Sequence, residues 1–298
     1  MCIMSDNSKN NTLVKYLKVS LFLVVLFVGS KANAQSHLTA NQVIEKIRKN
    51  VTIPWMQETR DVIIYGKGET EVKGIAVTFM STLAVLQKAK EAGCNFVITH
   101  EPTFYSHYDD LKIHNGDPVQ EAKIKFIEEN NMVIFRFHDH QHRTFPDQIY
   151  EGVVEKMGWK QYWKVGSKSF EMPETTLGKF VADLQKHSGG KTIRIVGDPK
   201  MKVKKVGLAL GAAGTDTHFK VLKETNCDVL IVGESNEWET APYFQDAQTL
   251  GQNKALVVMG HADSEEAGMV YFKSWLQKFY PNTKIEFIEA GNPFWAGK

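Results

Sequence analysis

Cysteine is scarce in this chain, with three in 298 residues. Cys2 lies near the start. Cys94 and Cys227 are too few for a disulfide framework, and each precedes an apolar run, where a small buried residue suits the start of a core strand. A net charge of one sign is also missing: 36 Lys and Arg stand against 34 Asp and Glu. That balance gives no electrostatic ground for a nucleic-acid partner or an anionic membrane surface. No Gly-Lys-Ser/Thr follows the turn Gly211-Ala-Ala-Gly214-Thr215, so a Walker A loop is excluded, and tight strand-to-helix turning and anion binding by backbone N–H groups both remain open. The apolar run Val19 to Val28 has ten residues, where roughly 20 are needed to span a bilayer.

That short run has another explanation. Lys15 and Lys18 precede it and Ala32-Asn33-Ala34 follows, the layout of a secretory signal peptide over 1–34. The mature chain is expected to start near Gln35 and to be exported, periplasmic or extracellular, with no membrane contact after cleavage. No cysteine follows the apolar core, which argues against a lipid anchor. Loss of Lys9, Lys15, Lys18, Lys31 and Asp6 takes the net charge from +2 to −1.

The remaining chain repeats itself. Glu91-Ala-Gly-Cys94-Asn-Phe-Val-Ile-Thr-His100-Glu101 matches Glu224-Thr-Asn-Cys227-Asp-Val-Leu-Ile-Val-Gly233-Glu234 in chemistry, position by position. An apolar run lies upstream of each copy, at Val72 to Phe79 and Val203 to Leu210. Downstream come a helix-like segment, about 117–130 and about 239–250, and a strand ending in histidine. Self-similarity over such a period indicates duplicated supersecondary units. The expected fold is α/β, two related lobes from an internal duplication with mainly parallel sheets covered by helices. The first lobe covers 35–160, a linker and the start of the second lobe 161–200, and the rest of the second lobe 201–298. Thr39 followed by Gln42 is a capping box for a first helix presenting Val43, Ile44 and Ile47. Lys160 to Pro173 reads as strand and linker, Thr176 to His187 as a helix, and Lys202, Lys204 and Lys205 as a solvated strand edge.

Chemistry gathers where the apolar runs stop. Phe96 to Thr99 ends at His100-Glu101, Val133 to Phe137 at His138, Val229 to Val232 at Gly233-Glu234, and Ala255 to Met259 at Gly260-His261. Ligands of open α/β sheets bind at the carboxyl ends of strands, so these endings point to one polar site. Burying His100 and Glu101 is costly without partners, and a metal supplies them. His138-Asp-His140-Gln-His142, taken as extended, points all three imidazoles to one side. His261-Ala-Asp-Ser-Glu265 sets an imidazole four residues from a carboxylate, with Asp263 or Ser264 as the expected N-cap of the next helix.

Together with Asn292-Pro293-Phe294, these segments resemble the Ngg-interacting-factor-three-like family of dinuclear metal-centre proteins, often labelled GTP cyclohydrolase I type 2 homologues. The resemblance covers nearly the whole mature chain in order. It implies a two-lobed α/β fold, a homohexamer with the metal sites facing an interior cavity, and the ligands His100, Glu101, His142, His261 and Glu265. Two positions depart from the family pattern: Glu101 stands where a second histidine is usual, and His142 where an aspartate is usual. The swaps offset one another and keep three imidazoles and two carboxylates, a donor set for two divalent ions of zinc, manganese or iron.

Two functions fit such a centre. One is a metal-dependent hydrolase of a small phosphoester or cyclic amide, with Glu234 and Glu237 as general base or supporting carboxylates and His138 orienting a ligand or substrate. The other is a non-catalytic metal-binding or scaffold oligomer.

Overall fold

The computed structural model describes Met1 and residues 37–296. The signal peptide expected over 1–34 falls, apart from Met1, outside the described residues. In chain order the elements are α1 (Ala40–Asn50), β1 (Ile63–Tyr65), β2 (Ile75–Thr78), α2 (Leu83–Glu91), β3 (Phe96–Thr99), α3 (Pro118–Glu129), β4 (Val133–Arg136), α4 (Asp139–Arg143) and α5 (Gln148–Lys156). There follow β5 (Ser169–Thr176), α6 (Leu177–Ser188), β6 (Arg194–Val196), β7 (Lys202–Ala209), α7 (Thr215–Thr225), β8 (Val229–Val232), α8 (Thr240–Thr249), β9 (Ala255–Val258), α9 (His261–Gln277) and β10 (Ile285–Phe287). Among the described residues, no helix is long and apolar enough to cross a membrane.

Two five-stranded sheets result, ordered β1-β4-β3-β2-β10 and β5-β7-β8-β9-β6. In each, three strands run parallel, β2-β3-β4 and β7-β8-β9, and an antiparallel strand, β1 or β6, closes one edge. Every residue of β2, β3, β4, β8 and β9 is buried, as parallel strands with helices on both faces require. The repeated sequence falls on β3 and β8, the middle strand of each sheet. The opposite edges differ, because β10 pairs parallel with β2 whereas β5 pairs antiparallel with β7. Residues 285–287, late in the chain, thus complete the earlier sheet.

Local signals act as the sequence suggests in several places. Thr39 and Gln42 form a reciprocal capping box on α1, which buries Val43, Ile44 and Ile47. Thr176 caps α6, and Cys94 and Cys227 are buried free thiols. The lysines of β7 are a correction: this strand lies inside its sheet, and Lys202 and Lys204 reach solvent by pairing with Glu174 and Glu171 of β5. Asp263 and Ser264 are a second correction. They lie within α9, which starts at His261 behind Gly260.

α5 and α9 form the seam between the two sheets. Ile149 joins the core of the first sheet with Met269, Phe272 and Leu276, while Tyr150, Val153 and Val154 join that of the second with Ala267. The helices touch at paired glycines. A Cβ on Gly152 would lie 2.2 Å from the Ala267 carbonyl oxygen, and one on Gly268 2.5 Å from Ile149 Cα. Neither obstacle is a flexible side-chain tip, so the helices would have to separate. Gly152→Ala is therefore expected to cost about 2 kcal/mol and to lower Tm by roughly 4–8 °C, while Lys156→Ala on the same helix changes little. Thermal melts monitored by circular dichroism check this, and equal melts for the two variants would refute the seam.

Candidate metal centre

The carboxyl ends of β3, β4 and β9 deliver six donor side chains to one place. His100 and Glu101 follow β3, His138 caps the start of α4 and His142 lies within it, and His261 and Glu265 occupy the first turns of α9. Two overlapping groups, His100 with His138 and His142, and His100 with Glu101 and Glu265, have donor atoms within 4.8 Å of one another.

Glu265 is the hub. Its Oε2 lies 3.0 Å from His261 Nε2 and 3.5 Å from His100 Nε2, and its Oε1 lies 3.7 Å from His142 Nε2. Glu101 Oε1 faces His261 Nε2 at 3.5 Å, His138 Nε2 at 3.6 Å and His100 Nε2 at 3.9 Å. All four imidazoles thus turn Nε2 inward. On the outer side, His100 Nδ1 meets Gln141 Oε1 at 2.8 Å, His138 Nδ1 meets Asp139 Oδ1 at 2.9 Å, and His261 Nδ1 meets Glu234 Oε1 at 2.8 Å. His142 Nδ1 stands 3.8 Å from Asp147. Outer acceptors of this kind fix the proton on Nδ1 and leave Nε2 free to bind, the usual arrangement behind metal-bound histidine.

The site is short of positive charge. Burial opposes ionisation of Glu101, yet the hydrogen bond from His261 and the imidazoles of His100 and His138 hold its pKa down at about 2. Burial likewise opposes a charge on His261, but hydrogen bonds to Glu101, Glu234 and Glu265 push it up to about 12. Glu265, fully enclosed, is held well below the usual carboxylate range by His100 and His261 despite the cost of burial. Cations, whether protons or metal ions, are what these carboxylates require. A metal fits better than protons on one observation in particular: His100 is fully buried, and its Nε2 has no hydrogen-bond partner among the described residues.

Glycines clear the space for Glu265. A Cβ on Gly211, where φ is +65°, would sit 2.0 Å from Glu265 Oε1, and one on Gly233 would sit 2.4 Å from Ser264 Oγ. Ser264 Oγ donates to the His261 carbonyl and accepts from Gly211 N–H, tying the turn after β7 to α9. The turn Gly211 to Thr215 thus backs the carboxylate cluster.

The segment after β4 is helical, and this corrects the extended reading of His138 to His142. A helix puts residues four apart on one face, so His138 and His142 point inward together while His140 turns away. His140 stacks on Trp55 with ring centroids 3.8 Å apart. Its Nε2 accepts Met56 N–H at 3.0 Å, so Nδ1 carries the proton and donates to Asp61 Oδ2 at 2.5 Å. Asp61 also accepts the N–H groups of His138, Asp139 and His140. This buried carboxylate, reached from a loop nearly 80 residues earlier in the chain, anchors the start of α4.

Sequence reasoning missed Asp61, Gln141, Asp147 and Arg136. Of these, only Asp147, directly followed by a helix it caps, carries a local signal. Arg136 is fully buried; its Nε donates to the His100 carbonyl at 3.2 Å, and a terminal nitrogen lies 3.8 Å from Glu101 Oε2. Of the two carboxylates expected after β8, Glu234 touches the centre through His261. Glu237 pairs instead with Arg194 at the exposed rim of a neighbouring cleft. His138 stands among the inward donors themselves.

Residues 38–293 match the model of the Duf34/NIF3 (NGG1p interacting factor 3) family. The chain belongs to this family. It is 24% identical over 247 residues to a protein of Clostridium perfringens named GTP cyclohydrolase 1 type 2 homolog, covering 78% of this chain and 89% of that one. A Clostridium acetobutylicum protein of the same name is 22% identical over 228 residues, covering 72% and 80% respectively. Solved structures share the fold. A Staphylococcus aureus hypothetical protein aligns with a TM-score of 0.69 at 17% identity over 88% of this chain and 100% of its own. A Bacillus cereus protein related to NIF3 aligns with a TM-score of 0.63 at 15% identity, covering 88% and 99%.

Asp61→Asn replaces an acceptor of four N–H groups with an amide that turns a donor toward some of them. It is expected to cost about 2 kcal/mol in stability and to weaken metal binding on the order of tenfold or more, although no inward donor is altered. Competition with a chromogenic chelator measures this. Wild-type metal affinity in a folded Asp61→Asn protein would show that the α4 anchor does not govern the centre.

Proposed function

We propose that this chain is an exported, dinuclear metal-dependent hydrolase acting on a small phosphoester or cyclic amide. The observation that carries the reading is the set of four inward Nε2 atoms around two buried carboxylates, placed beside an open cleft that His261 and Glu234 help to line. His100, Glu101, His142, His261 and Glu265 are the ligands for two ions of zinc, manganese or iron, and His138 is positioned to join them. Such ions supply Lewis acidity and make water nucleophilic at neutral pH.

The protein's own groups then have separate tasks. Gln141, Asp139 and Glu234 hold three of the imidazoles by Nδ1, and Asp147 faces the fourth, His142, at 3.8 Å, so the donor geometry is largely set before any ion arrives. Glu234 is half exposed and gives one oxygen, Oε1, to His261. Its other oxygen is left to accept a proton from water, which makes Glu234 the general base. Glu101 is fixed from behind by Arg136. A metal-storing or scaffolding role would favour a closed shell, and the cleft beside His261 favours the catalytic reading instead. By family likeness we also propose a homohexamer working on a small molecule.

Protein purified without chelator is expected to carry close to two divalent ions per chain by elemental analysis and to hydrolyse 4-nitrophenyl phosphate in a chelator-sensitive way. Glu265→Gln should lower the content below one ion and turnover at least a hundredfold. Less than half an equivalent after reloading, with no chelator-sensitive turnover, would overturn the reading. For export, N-terminal sequencing of envelope material should begin near Gln35, and an intact Met1 would contradict it.

A further inference from the structure

The cleft beside the centre has a chemical character of its own. Its volume is about 740 Å³, and its lining includes His261 and Glu234 together with Lys191, Arg194, Phe294 and Trp295. Two cations and two large aromatics therefore stand around the opening to the metal donors. The aromatics lie 74% and 78% exposed, a large apolar surface to leave in water side by side.

The chain leading to them is held by specific contacts. The Asn292 amide donates to Thr192 Oγ at 3.0 Å and to Asp263 Oδ2 at 2.8 Å, while its carbonyl accepts Phe294 N–H at 2.9 Å. Thr192 follows Lys191 and lies two residues before Arg194, and Asp263 is in the first turn of α9 with His261. One asparagine thus ties together the aromatic tail, the cationic segment leading into β6 and the helix that carries His261 and Glu265.

We propose that this cleft binds a small organic phosphate bearing a planar ring, an assignment that rests on the hydrolase reading above. Trp295 and Phe294 offer flat faces on which a ring stacks. Arg194 and Lys191 take the phosphate, with the guanidinium suited to two parallel hydrogen bonds. Glu237 orients Arg194 through an exposed ion pair, which is weakly held and exchanges readily for a more highly charged anion. Once Glu237 releases Arg194, the lining offers two positive charges against the one carboxylate of Glu234, enough for a single phosphate monoester and too little for a triphosphate.

Adenosine 5′-monophosphate, ribose 5-phosphate and adenosine, titrated calorimetrically into the metal-loaded protein with tryptophan fluorescence followed in parallel, separate the two contributions. The nucleotide is expected to bind at least tenfold more tightly than either fragment and to quench fluorescence. Trp295→Ala should reduce its affinity to that of ribose 5-phosphate, and Arg194→Ala to that of adenosine, with metal content unchanged in both. No nucleotide binding, equal binding of the three compounds, or wild-type binding by either variant would overturn the proposal. Metal content and chelator-sensitive turnover report on the hydrolase reading independently, so a failure of the binding proposal is distinguishable from a failure of that reading.

Discussion

Glu265 sets the constraint to which the rest of the centre answers. Its side chain is only 3% exposed, with both oxygens turned to imidazoles. A buried anion is tolerable only when cations surround it closely. The glycines at 211 and 233, the inward turn of three strand ends and the starting point of α9 at His261 all provide that enclosure. Moving Glu265 by one residue would rotate it about 100° around its helix and away from the other donors.

Arg136 plays the matching part behind Glu101. Here the carboxylate divides its oxygens between the imidazoles in front and a fully buried guanidinium behind, which also faces Asp109 at 3.7 Å. A buried arginine needs just such acceptors. The glutamate at 101 and the arginine at the end of β4 therefore form one electrostatic unit, which explains how this chain accommodates the carboxylate.

Much of the framework was legible in the sequence because it rests on local signals. Short apolar runs predicted the buried strands, the repeat around Cys94 and Cys227 located their equivalent middle members, and Thr39 with Gln42 marked α1. The errors arose where a remote partner overrode local pattern. His138 to His142 alternates as a strand would, yet Asp61 collects three successive N–H groups and folds it into a helical turn. Asp263 resembles a helix cap, but Gly260, at φ +100°, lets the chain enter α9 three residues earlier. The lysines of β7 suggested an edge because their charge is visible in sequence, whereas the β5 partner beyond them is not.

By itself the sequence placed histidines and glutamates at the strand ends, because hydrophobic period and chain punctuation are short-range properties. It also determined the i, i+4 spacing of His261 and Glu265, which any helix converts into a shared face. Only the tertiary structure decided which of the clustered histidines turn inward and which, like His140, serve as supports. It alone gave an outer acceptor to the Nδ1 of His100, His138 and His261, put Arg136 behind Glu101, and laid Phe294 and Trp295 beside Lys191 and Arg194. Those choices depend on contacts between segments tens to a hundred residues apart, where packing and buried charge act together and no local pattern records the outcome.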